Sequence, residues 1–124
     1  MDKIYFTYQD IQTDCEQLSM FLRSKNVDGI VPIIRGGVPP AIMLSYMLNK
    51  PLKMTVTSEK DVMVDEIVDY GTTFRKFKKL FPSNVFVCLH LNTKHFKYEV
   101  QPDYHVREVS SWVVYPWECD NHHE

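Results

Sequence analysis

No stretch of this 124-residue chain comes near the roughly 20 consecutive apolar residues of a membrane span, and no signal peptide is read at its start. A membrane partner is therefore not expected. A strong excess of one charge is missing too. Fourteen Lys and Arg against sixteen Asp and Glu leave a net charge of −2, which argues against broad nucleic-acid binding through bulk electrostatics. Cysteine is sparse and unpatterned: Cys15, Cys88 and Cys119 are an odd number, far apart, in no metal-ligand spacing, as expected of free thiols in a reducing cytoplasm. His90, His95 and His105 form no ligand spacing either and are assigned no role. Repeats and low-complexity segments are absent. What remains suits one globular domain over 1–124, 44% hydrophobic and 24% charged, able to bury roughly two-thirds of its extended-chain surface.

The apolar pattern alternates between helical and strand-like stretches. Thr7 followed by Asp10 is a helix start signal, and Tyr8, Ile11, Cys15, Leu18, Phe21 and Leu22 keep helical spacing behind it. Gly29 to Ile34 reads as a short buried strand with Pro32 near an end. Arg35-Gly36-Gly37 is a loop, and Pro39-Pro40 opens a helix to about Asn49 with Ile42, Met43, Tyr46 and Met47 on one side. Leu52 to Thr57 and Asp61 to Val68 read as two strands joined by Ser58-Glu59-Lys60 as a plain hairpin. A basic helix over 72–80, a strand over 85–91, an irregular stretch over 92–103 and a strand over 104–109 complete the pattern, and the Asn121 to Glu124 tail reads as frayed. The class is α/β with a mainly parallel sheet flanked by helices, in which ligands bind beyond the carboxyl ends of the strands.

The richest chemistry lies in Val62-Met63-Val64-Asp65-Glu66-Ile67-Val68-Asp69-Tyr70-Gly71-Thr72-Thr73. A buried strand delivers two adjacent carboxylates, then a third, into a small turn that opens a helix. Carboxylates accept hydrogen bonds from sugar hydroxyls and hold divalent cations through oxygen. The turn offers backbone N–H groups, threonine hydroxyls and a helix N-terminus to a phosphate. Carboxylates at the end of a buried strand are costly unless they have ligands, so this pattern points to a sugar phosphate. Upstream, the glycines of Arg35-Gly36-Gly37 permit close backbone approach to an anion, and Arg35 suits phosphate oxygens; taken alone, the same tripeptide reads as an ordinary turn.

The Asp65 to Thr73 stretch resembles the signature of the type I phosphoribosyltransferases: an apolar strand, two acidic residues, two apolar residues, Asp, a small residue, Gly, any residue, Thr. Tyr70 stands where the family has a small residue. The segment Trp112-Val113-Val114-Tyr115-Pro116-Trp117-Glu118 is similar to the C-terminal part of bacterial xanthine–guanine phosphoribosyltransferases. The resemblance implies a Rossmann-like core with a short C-terminal hood. It also implies transfer of ribose 5-phosphate from phosphoribosyl pyrophosphate to a 6-oxopurine such as xanthine, guanine or hypoxanthine, with Mg2+ as cofactor, in a cytoplasmic homodimer. A regulatory module that binds phosphoribosyl pyrophosphate or a nucleotide without turnover is the alternative.

By motif position, the resemblance has Asp65 and Glu66 hold the ribose hydroxyls and, indirectly through the substrate, the metal. It has Tyr70, Gly71, Thr72 and Thr73 cradle the 5-phosphate, and Asp69 assist proton transfer at the base. Arg35, Gly36 and Gly37 become the pyrophosphate loop, Trp112 stacks on the purine and Val113 reads its edge. Lys94 is the nearest candidate for the cationic donor to a 6-oxo group, with a solvated loop lysine as the other reading. One departure is large. Family members carry a long flexible loop before the phosphate motif, and here Ser58-Glu59-Lys60 is nearly the whole connection.

Overall fold

The computed structural model describes residues 2–119; the Asn121 to Glu124 tail, expected to fray, lies outside them. In chain order the elements are β1 (Lys3–Tyr5), α1 (Tyr8–Arg23), β2 (Gly29–Pro32), α2 (Val38–Leu48), β3 (Asp61–Val68), α3 (Thr72–Leu80), β4 (Phe86–Asn92), β5 (Tyr104–Val109) and β6 (Trp112–Val114). The helix start at Thr7 is a reciprocal capping box. Asp10 N–H donates to Thr7 Oγ1 at 3.0 Å, and Thr7 N–H donates to Asp10 Oδ2 at 2.9 Å.

Period-two alternation decides which way each central strand faces. Val62 and Val64 of β3, with Val87 and Leu89 of β4, pack with Ile11, Leu18 and Leu22 of α1 and with Ala41 and Leu44 of α2. Met63, Phe86 and Cys88 point the other way, against Phe74 of α3 and Phe96. With both faces covered, the strands have no need of a polar side. The order is β2-β3-β4-β5, every pair parallel, so four strand ends open on one edge. The α/β expectation thus holds. Among the described residues no helix is long and apolar enough to cross a membrane.

Three local expectations need correction. First, β1 was not foreseen: three residues pair in parallel with β6 in a second, two-stranded sheet, too short a run to show periodicity. Second, the 42–47 stripe of α2 is split: Met43 and Met47 pack against the core beside buried Pro40, Ala41 and Leu44, while Ile42 and Tyr46 are exposed.

Third, there is no hairpin over 52–68. Leu52 makes one parallel bridge to Ile30, and the strand expected to run on to Thr57 does not form. Asp61 is the reason. Its buried carboxylate accepts from Thr57 N–H at 2.9 Å, Ser58 N–H at 3.0 Å and Lys53 Nζ at 2.9 Å. The backbone donors a ladder would use are thereby drawn into a loop at the amino end of β3. The connection closes at the edge opposite the strand ends, so it does not reach over them.

Burial pushes the Asp61 carboxyl up, but the Lys53 ammonium and the two N–H donors outweigh it and hold it below the ordinary carboxylate range. A lowered folded-state value contributes stability above the unfolded carboxyl's value, roughly pH 4, and that contribution is lost as pH falls further. Asp61→Asn is expected to cost about 2–4 kcal/mol at neutral pH and to flatten the acid limb of the stability profile, read by urea unfolding from pH 3 to 7.

Candidate active site

The turn from β3 to α3 is shaped by Gly71. Its φ of 96° lies in the left-handed region, and a Cβ there would stand 2.6 Å from Phe96 Cε1. Only glycine meets both demands. No side chain caps α3, so its first N–H groups and the exposed Thr72 and Thr73 hydroxyls face outward. They line a cavity of about 240 Å3 together with Asp65, Asp69, Tyr70 and Gly71. Donors and a helix N-terminus in one concavity make an anion site.

Asp65 and Glu66 stand earlier, within β3 and just past the level of the β2 end. Asp65 is buried, and its Oδ1 accepts from Glu66 N–H at 2.9 Å. Burial, then a hydrogen bond to the Glu66 carboxyl and its charge, push the Asp65 carboxyl well above its ordinary range. A Cβ at Gly36 would overlap the Glu66 carboxylate, and one at Gly37 would overlap the Val64 carbonyl oxygen and stand 2.7 Å from the Ile33 carbonyl oxygen. The two glycines thus bring the 35–37 loop directly against the end of β3. The loop begins with a cis peptide between Ile34 and Arg35, and Gly37 is the N-cap of α2. Arg35 is exposed and lines neither cavity described here.

A second cavity, of about 650 Å3, adjoins the first and shares Asp69 and Tyr70 with it. Glu66, Lys94, His95, Trp112 and Val113 also line it. Its size falls within the roughly 300–1,000 Å3 of small-molecule sites. Trp112 is 41% exposed and offers a flat ring at one wall; Lys94 brings a cation to another. Every predicted site residue except those of the 35–37 loop thus lines one of the two cavities; Gly36 abuts the Glu66 carboxylate and Gly37 the Val64 and Ile33 backbone.

No protein-family model matches the chain. A curated xanthine-guanine phosphoribosyltransferase of Gluconobacter oxydans is 29% identical, over 90% of this chain and 82% of its own. A purine phosphoribosyltransferase from Pyrococcus horikoshii has a crystal structure that superposes with a TM-score of 0.81 at 30% identity, covering 95% of each chain. The chain belongs to the type I phosphoribosyltransferase family. The xanthine-guanine-hypoxanthine phosphoribosyltransferase of Helicobacter pylori shares the fold, with a TM-score of 0.82 at 19% identity. In the order of the family signature, the two acidic residues lie within β3, two apolar residues end the strand, and the Gly-Thr-Thr turn begins the helix. Tyr70, the departure from that signature, is 61% exposed and stacks on His95, so it leaves the phosphate cavity open.

Sequence reasoning missed His95 and Asn92, which line the larger cavity, and the fully buried His90 behind it. His95 Nδ1 lies 2.6 Å from Asp69 Oδ1. Twenty-six residues separate the two, so no local spacing announces the pair. Among the described residues no cluster of three His, Cys, Asp or Glu stands ready to hold a metal. Gly37→Ala, which sets a Cβ against fixed carbonyls, is expected to destabilise the fold by roughly 2–4 kcal/mol in thermal or urea unfolding. Gly36→Ala meets only the end of a side chain. It is expected to lose less than about 1 kcal/mol yet weaken phosphoribosyl pyrophosphate binding by at least tenfold in calorimetry, by displacing Glu66.

Proposed function

We propose that this protein transfers the 5-phosphoribosyl group of phosphoribosyl pyrophosphate to a 6-oxopurine, releasing pyrophosphate and a nucleoside monophosphate, as a single domain over 1–124 acting in the cytoplasm. One observation carries the reading: an anion-binding turn and a cavity roomy enough for a purine share the Asp69-Tyr70 wall, with the Asp65-Glu66 pair between them and the 35–37 loop. The 5-phosphate takes the Gly71 to Thr73 donors, the ribose hydroxyls take Asp65 and Glu66, and the pyrophosphate takes Arg35 and the loop behind it. Trp112 stacks on the purine, the Val113 backbone meets its edge, and Lys94 donates to the 6-oxo oxygen.

The bond from the anomeric carbon to pyrophosphate breaks, its electron pair leaving with pyrophosphate, as a purine nitrogen bonds to the same carbon. Asp69 takes the proton that nitrogen chemistry releases from the base. Positive charge gathers on the ribosyl ring meanwhile, and the Asp65 and Glu66 carboxylates stabilise it. Hard oxygen donors suit magnesium, and with too few of them for a closed protein site the cation fits only alongside substrate oxygens. Mg2+ held there by Asp65 and Glu66, through the substrate, would neutralise the departing pyrophosphate.

Incubation with phosphoribosyl pyrophosphate, Mg2+ and each of guanine, xanthine, hypoxanthine, adenine and uracil is expected to yield nucleotide with at least one 6-oxopurine. Asp69→Asn is expected to lower kcat by roughly 10²–10⁴-fold. Saturable phosphoribosyl pyrophosphate binding with no product for any base would overturn the transferase reading.

We also place a homodimer face on α2, where Ile42 and Tyr46 lie one turn apart and are 41% and 84% exposed. Apolar side chains so displayed are commonly covered by a partner. Light scattering is expected to give a dimer for the wild type and a monomer for Tyr46→Lys; a wild-type monomer at micromolar concentration would sink this assignment.

A further inference from the structure

An exposed aspartate on a turn samples several rotamers, and ordering it costs conformational entropy. Asp69 is exposed, yet it has a fixed partner. Its Oδ1 lies 2.6 Å from His95 Nδ1, and the His95 ring stacks on Tyr70 with centroids 4.3 Å apart and planes 3° from parallel. An ionised carboxylate only accepts, so Nδ1 carries the hydrogen. Oδ1 is thereby occupied, and Oδ2 is left to meet a base N–H in the shared cavity.

The position of His95 is itself over-determined. Buried Asn92 ends β4, and its Oδ1 accepts from the N–H groups of Lys94 at 3.0 Å and His95 at 3.2 Å. Phe96 N–H closes the same turn onto the Asn92 carbonyl at 2.9 Å, and the Phe96 ring is buried beside Phe74. Two residues on, Tyr98 lies under the Arg75 guanidinium at 4.0 Å. The 92–98 segment is thus anchored to the core by Phe96 and to α3 by Tyr98, with His95 projecting between them onto the Asp69-Tyr70 turn.

We infer that His95 is a positioning residue for phosphoribosyl transfer: its Nδ1–H holds Asp69 Oδ1 so that Oδ2 takes the proton released by the purine. The inference rests on the transferase reading above. The proton leaves the base nitrogen for Oδ2 while Nδ1 keeps its own hydrogen on Oδ1, so no further donor or acceptor is required. The Tyr70 stack sets the plane of the imidazole. It also gives a reason for an aromatic residue at a position where the family has a small one.

A double-mutant cycle on the intact chain tests this. His95→Phe keeps the ring stack and removes the donor; it is expected to lower kcat tenfold or more with KM for phosphoribosyl pyrophosphate changed less than threefold. His95→Asn returns an N–H near the place of Nδ1 and is expected to recover most of that loss, and it serves also if His95→Phe folds poorly. In an Asp69→Asn background, His95→Phe is expected to lower kcat no further, because residues acting as a unit are non-additive. Wild-type kcat in His95→Phe, or a loss in kcat that simply multiplies with that of Asp69→Asn, would overturn the inference while leaving the transferase reading intact. A wild type that makes no nucleotide from any base overturns both, and that outcome is told apart by the parent protein alone.

Discussion

A chain of hydrogen bonds through the middle of the protein ties its parts to one another. Arg107 of β5 donates through Nε to Asp14 of α1 at 2.8 Å, and Asp14 Oδ2 lies 3.0 Å from His90 Nε2 on β4. His90 Nδ1 lies 2.7 Å from the Tyr115 hydroxyl, which reaches the Glu66 carbonyl oxygen at 3.3 Å. Asp14, His90 and Tyr115 are buried, and among the described residues no buried side-chain polar atom lacks a partner. Burial pushes the Tyr115 phenol well above its ordinary range, with the Glu66 charge adding to it, so the group remains a donor. In a low-dielectric interior such a chain is worth having only when complete, because one missing member leaves the others unpaired. It joins a helix, two strands, the segment behind β6 and the backbone of the residue that faces the ligand. Phe6 stacks on His90 at 4.4 Å and covers the chain from the β1 side.

From that frame the site follows as a matter of edges. All four strands of the larger sheet are parallel, so their carboxyl ends and the loops leaving them share one rim. The rim is acidic: Asp65, Glu66 and Asp69 stand within a few residues, and Lys94 is a cation on the far wall. An anionic substrate enters such a place only with a cation beside it and with donors aimed at its phosphates. In the proposed reaction the 71–73 turn would meet the second need and a cation shared with the substrate the first. Where the family resemblance implies a long flexible loop, this chain turns back at Asp61 on the opposite edge of the sheet. Lys94 and His95 of the 92–98 segment, with Trp112, form walls of the larger cavity at the rim. A fixed wall excludes less water than a closing lid but orients its groups before substrate arrives.

Much of this was legible in the order of residues. The Thr7 cap, the helix over 72–80 and the strand over 104–109 match the structure because each signal is local: a hydroxyl, a period, a breaker. The acidic strand end and the Gly-Thr-Thr turn were legible for the same reason, since their chemistry lies within nine residues of one another. The strand over 61–68 matches β3, but the strand over 52–57 and its hairpin link do not form, because the Asp61 carboxylate accepts from the backbone before it, a role no local pattern announces. Half of the α2 stripe, Ile42 and Tyr46, faces outward while Met43 and Met47 pack on the core, because an apolar stripe reads the same whether a core or a partner covers it.

The sequence by itself determined the strand-turn-helix that presents Asp65, Glu66 and Asp69, the glycines that allow close approach, and the parallel α/β class. All of these depend on side-chain period and backbone freedom over a few residues. Only the tertiary structure decided that His95 holds Asp69, that Gly36 lies under Glu66 and that His90 bridges Asp14 to Tyr115. Those contacts span 25 to 76 residues of chain, the 30 between Gly36 and Glu66 among them. A hydrogen bond of a few ångströms between distant residues has no sequence period. It exists because packing of the two cores brings the strand ends to a common rim.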